Sequence, residues 1–98
     1  MKTETTPFDA AFYLEAEEDI AAYITEALAT GDTAVIARAL GAVARTRGMS
    51  RIARKTGLSR ESLYRALSAD GNPELATVLR IVEAVGLRLT AESGTKAA

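Results

Sequence analysis

Residues 49 to 67, MSRIARKTGLSRESLYRAL, constrain the chain most, because small, turn-forming and apolar positions recur there at the spacing two short crossing helices require. Ser50 is placed to cap a first helix running through Thr56, its hydroxyl accepting a backbone N–H that the helix leaves free. Gly57 ends that helix, since a glycine just past a helix terminus takes positive φ with no Cβ to clash, and the chain can turn within about three residues. Ser59 then caps a second helix from Arg60 to about Ser68. Ala53 sits where the two helices cross and keeps their backbones close. Ile52, Leu58, Leu63, Ala66 and Leu67 form the buried side. This spacing predicts a helix-turn-helix motif over residues 50–68, a unit that presents its second helix to the major groove of DNA.

The intervening positions carry charge of one sign. From Arg38 to Arg65 there are eight bases (Arg38, Arg45, Arg47, Arg51, Arg54, Lys55, Arg60 and Arg65) and one acid, Glu61. A local charge of +7 suits a polyanion. An apolar/basic alternation also describes the solvated side of any amphipathic helix pair. What separates the two readings is the Ala, Gly and Ser spacing, which a solvated face does not require.

The rest of the composition narrows the class. Ninety-eight residues, 48% of them apolar, make one small domain with a single core. The chain has no cysteine and no histidine, so disulfides, thiolate metal sites and the commonest general base are excluded. With no Gly-rich phosphate loop and no nucleophile elbow either, the expectation is a non-enzyme with no catalytic residues, metal or cofactor. No apolar run is long enough to span a membrane and no signal peptide is visible, so a cytoplasmic protein without membrane contact is expected. The net charge of −1 conceals an asymmetry: residues 1 to 36 hold eight acids and one base, and residues 37 to 98 hold eleven bases and five acids. Two surfaces of opposite sign imply two partners.

In chain order, residues 1–7 read as a flexible N-terminal arm, 8–91 as a single domain and 92–98 as a frayed tail. Phe8, Phe12, Tyr13 and Leu14 are expected to fold back onto the core or to be covered by a partner. A first helix is predicted from Glu17 to Thr30 on the recurrence of Ile20, Tyr23, Ile24, Ala27 and Leu28, with Glu17, Glu18 and Asp19 at the positive end of its dipole. Asp32 caps a second, from Thr33 to about Arg47, with Val35, Ile36, Ala39, Leu40 and Val43 inward. Asp70-Gly71-Asn72-Pro73 reads as a turn with glycine at positive φ. Leu75, Val78, Leu79, Val82 and Val85 mark a fifth helix ending at Gly86. The period then changes to two over Leu87-Arg88-Leu89-Thr90, predicting a short C-terminal β-strand that pairs with a second copy or with another partner by edge addition. The fold class expected is all-α: a five-helix, phage-repressor-like helix-turn-helix domain with one short strand.

From Phe8 to Leu89 the sequence resembles the small helix-turn-helix antidote proteins of two-gene addiction modules, in the phage-repressor-like superfamily. The likeness is densest in EEDIAAYITEALATGD at 17–32 and RIARKTGLSRESLYRALSADGNPELATVLRIVEAVGL at 51–87. It implies an antitoxin that neutralises a RelE-like (HigB-like) toxin, a small basic ribonuclease, and represses its own operon as a homodimer. The alternatives are a stand-alone phage-type regulator and a protein- or RNA-binding adaptor that keeps the fold without touching DNA. Related repressors often open the motif with a glutamine that holds a phosphate. Met49 stands there, with Arg51 two residues on to serve instead. The residues expected to face DNA are Ser50, Arg51, Arg54, Lys55, Ser59, Arg60, Glu61, Ser62 and Arg65. Arg60 is assigned to guanine, Glu61 to cytosine or to orienting an arginine, and Arg51, Arg54 and Lys55 to phosphates. Tyr64 is expected in the core or on one phosphate. The acidic residues Glu15, Glu17, Glu18 and Glu26 are the expected toxin-facing set.

Overall fold

The computed structural model describes residues 17–94, which form five helices and, among the described residues, no strand: α1 (Glu17–Ala29), α2 (Thr33–Arg47), α3 (Met49–Thr56), α4 (Arg60–Ala66) and α5 (Leu75–Ala84). The expected arm at 1–7, the apolar cluster of Phe8, Phe12, Tyr13 and Leu14, the acid Glu15 and the last four residues of the expected tail lie outside the described residues.

The helix α2 is the axis of the domain, packing on α1, α3 and α5, while α3 also contacts α4 and α5. Its composition allows this: Ala37, Ala39, Gly41 and Ala44 are buried alongside Leu40 and Val43, so neighbouring backbones approach from more than one side. Ile20 and Ile24 of α1, Ile52 of α3, Leu63 of α4, Leu67 just after it, and Ile81, Val82 and Val85 at α5 complete one continuous core. Each large aliphatic side chain buried there contributes about 1.5 to 3 kcal/mol.

The helix ends follow the punctuation in the sequence, with one exception. Asp32 takes extended backbone and its carboxylate accepts from Ala34 N at 2.9 Å and Val35 N at 3.4 Å, capping α2. Removing that acceptor in Asp32→Ala is expected to cost about 1 kcal/mol, read as a fall in the urea midpoint; an unchanged midpoint would show that the cap is dispensable. The exception is Ser50. The helix α3 begins at Met49, and Gly48, at φ 92°, closes α2 and opens α3 at once, its carbonyl accepting from Ile52 N at 3.0 Å. Ser50 is therefore an exposed residue inside the first turn and not a cap, because burial of Met49 draws the helix start two residues back, from Arg51 to Met49.

Two further expectations are corrected at the C-terminal side. Gly71 does not adopt positive φ; what requires glycine is space, since a Cβ there would lie 2.5 Å from the carbonyl oxygen of Arg65 and 2.7 Å from that of Ala66. The segment Leu87–Thr90 is not a strand. The helix α5 closes with a pair of bonds, Leu87 N to Val82 O at 2.9 Å and Gly86 N to Glu83 O at 3.0 Å, around Gly86 at φ 95°. That geometry sends the chain back along α1. Leu87 and Leu89 turn towards the core while Arg88 and Thr90 face out, so the period of two is real. It is satisfied by helix side chains (Ile24, Thr25 and Leu28 border the same recess of about 370 Å³) and not by a neighbouring strand.

Candidate functional site

The turn between α3 and α4 is fixed locally. Gly57 is left-handed at φ 78° and ψ 9°, and its N–H donates to Ala53 O at 2.9 Å. The buried Thr56 hydroxyl donates to Ile52 O at 2.8 Å and accepts from Leu58 N at 3.2 Å, tying the end of one helix to the start of the turn. Ser59 then caps α4, its hydroxyl accepting from Ser62 N at 3.0 Å and donating to Ser62 Oγ at 3.0 Å. Both serines are thus engaged in holding α4 in place.

With the turn set, helical phase decides which side chains face out. On α3, Ile52 and Thr56 point in and Arg51, Arg54 and Lys55 are exposed. On α4, Leu63 is buried and Arg60, Glu61, Tyr64 and Arg65 are exposed, with Ser62 half-buried. The five cations expected on this pair of helices all reach solvent beside a single acid. Arg65 and Ser62 also border a shallow recess of about 290 Å³ closed by residues 70–73.

Of the two places expected for Tyr64, the core is the one the structure rules out. Tyr64 is 47% exposed, and Arg60 lies over it, the guanidinium carbon 5.8 Å from the ring centroid and Nη2 donating to the phenol oxygen at 3.4 Å. A cation over an aromatic face at this range is attractive by about 0.5 to 1 kcal/mol when exposed. The signal was available: residues 60 and 64 are one helical turn apart, so whatever exposes Arg60 exposes Tyr64.

On the acidic side, Glu18, Asp19 and Glu26 are exposed on α1, while for Glu17 only the backbone is described. Glu26 borders a recess of about 320 Å³ with Arg38 of α2. Among the described residues no group of three or more acids is arranged to hold a metal, and no helix is long and apolar enough to cross a membrane.

A small helical domain with a basic outer face on two short helices and an acidic face on another is the class these observations define. The model of the family described as "Probable addiction module antidote protein" matches residues 4–93. The chain is also 46% identical over 88 residues to an uncharacterized protein of Haemophilus influenzae (strain Rd), an alignment covering 90% of this chain and 91% of that protein. The chain belongs to this family of addiction module antidote proteins, and membership implies a toxin as partner. No solved structure matches it.

Proposed function

We propose that the chain is a DNA-binding antitoxin that neutralises a RelE-like toxin and represses its own operon as a dimer, with α3 and α4 as a phage-repressor-like helix-turn-helix. The observation that carries the reading is the exposure of Arg51, Arg54, Lys55, Arg60 and Arg65 on one pair of helices whose turn is locked by Gly57 and Ser59. In this reading α4 enters the major groove, Arg60 and Glu61 meet base edges, Arg65 meets a base edge or a flanking phosphate, and Arg51, Arg54 and Lys55 hold phosphates. Ser59 and Ser62 act by orienting α4, because their hydroxyls are already paired with each other. Ser50, exposed in the first turn of α3, is free to meet a phosphate from its hydroxyl.

One helix reads only a few base pairs, so operator affinity requires two copies on half-sites about 34 Å apart. The toxin would be met by α1, through Glu18 and Glu26 among the described side chains, with charge complementarity chiefly speeding and selecting the encounter.

The test is a mobility-shift titration on the chain's own promoter and on random duplexes at several salt concentrations. Lys55→Ala is expected to weaken all duplexes alike and to lower the slope of log affinity against log salt by about 1. Wild-type affinity that is low on every duplex and indifferent to salt would remove the DNA half of the proposal. Failure of the neighbouring gene's product to co-purify with the chain would remove the toxin half.

A further inference from the structure

We propose that the segment from Phe8 to Leu14 of this same chain docks in the recess between α1 and residues 87–90, its aromatic side chains covering what the helices leave open. The inference stands apart from the DNA and toxin readings, since the contact is made within one chain. The recess, of about 370 Å³, has an apolar floor made by Ile24 and Leu28 of α1, Val82 of α5, and Leu87 and Leu89 beyond it. The floor is only partly covered: Leu87 and Leu89 are half-buried, and Leu28 is 38% exposed although its spacing marked it for the interior. A volume near the lower end of the range for small-ligand pockets takes a few side chains and not a folded partner.

Position, reach and charge select the occupant. Phe8, Phe12, Tyr13 and Leu14 lie outside the described residues and enter the described chain at Glu17, the first residue of the helix that forms one wall of the recess. The open stretch from Ala21 to Leu28 lies about 6 to 17 Å along the helix axis from Glu17. An extended chain carries Phe12 up to about 17 Å from Glu17 and Phe8 up to about 30 Å, so both rings reach it. So short a tether holds the segment at an effective concentration in the millimolar range, and a weak contact suffices. Residues 8 to 15 carry two acids, Asp9 and Glu15, and no base. The α1 residues bordering the recess are uncharged, although Glu18, Asp19 and Glu26 make that helix acidic elsewhere. Among the described residues Arg88, exposed on the rim, is the one base there and Glu92 the one acid, which sets Asp9 towards Arg88.

The chain has no tryptophan, so Phe12→Trp in the full-length protein supplies a single fluorescent reporter. Its quenching by acrylamide is expected to be at least about threefold weaker than in a free peptide of the same segment with the same substitution, because a buried ring is shielded from solvent. That protection should not change on dilution. Thr25→Glu on the exposed wall and Arg88→Glu on the rim leave the core untouched, and each is expected to raise the quenching about twofold with helical circular dichroism unchanged. The same series on Phe8→Trp covers a tryptophan too large for the place of Phe12. Peptide-like quenching of both reporters would overturn the proposal. So would protection indifferent to both wall substitutions, which would move the segment elsewhere, for instance to the groove bordered by Glu26 and Arg38. Protection lost on dilution would assign the recess to a second copy's segment, and protection seen only after adding the neighbouring gene's product would assign the segment to the toxin; either result overturns it.

Discussion

Leu63→Ala is expected to lower the free energy of unfolding by about 2 to 5 kcal/mol, the largest loss predicted for a single substitution in this chain. Leu63 has no solvent exposure, and it is the one side chain of α4 that is fully buried. Shortening it leaves a cavity under a helix of only seven residues, which can do little to collapse around it. A domain of this size commonly has about 5 to 15 kcal/mol in total, so the variant approaches the limit of folding at body temperature. The measurement is urea denaturation followed by helical circular dichroism. Tyr64→Ala, one residue further on, is the control and is expected to cost under about 1 kcal/mol, because its ring is half in solvent. Equal losses from the two substitutions would mean that α4 is rotated relative to the arrangement described.

The second large effect is on binding. Under the proposed function, Arg60→Ala is expected to cost about 1 to 3 kcal/mol of operator affinity and to relax preference at one base pair, since a bidentate arginine contact discriminates by about that much. Stability should hardly change, because Arg60 is exposed and its contact with Tyr64 is weak. Fluorescence anisotropy against a panel of single-base operator variants at fixed salt measures this directly. A uniform loss across all variants and random duplexes would assign Arg60 to a phosphate and not to a base.

Much of the helical framework could be read from residue order because its signals are local. Gly31, Gly48 and Gly57 each take positive φ at a helix end, where the sequence marks a stop, and Asp32 and Ser59 cap the helices that follow. The basic face of α3 and α4 was legible for the same reason, since phase within one helix follows from Ile52 and Leu63 alone. What failed were judgements that depend on a neighbour elsewhere in the chain. Alternation at Leu87–Thr90 fixes which side chains turn inward but not what covers them, and α1, some sixty residues earlier, does so in place of a strand. Gly71 was read as a φ requirement, whereas the pressure comes from two carbonyls at the end of α4. Leu75, Val78, Leu79, Val82 and Val85 mark a helix by their spacing, but only the packing of α3 and α2 against α5 decides which of them are covered, and it leaves Leu75 and Leu79 exposed. The apolar run before Glu17 lies outside the described residues and contributes nothing to this comparison.

Arg60 resting on the ring of Tyr64 bears on how this face would meet anything planar. A guanidinium resting on an aromatic residue of its own helix has surrendered some rotational freedom, so an incoming group encounters a fork biased towards one angle. Under the proposed function the tyrosine acts as a backstop that biases the angle at which a base edge docks before contact is made.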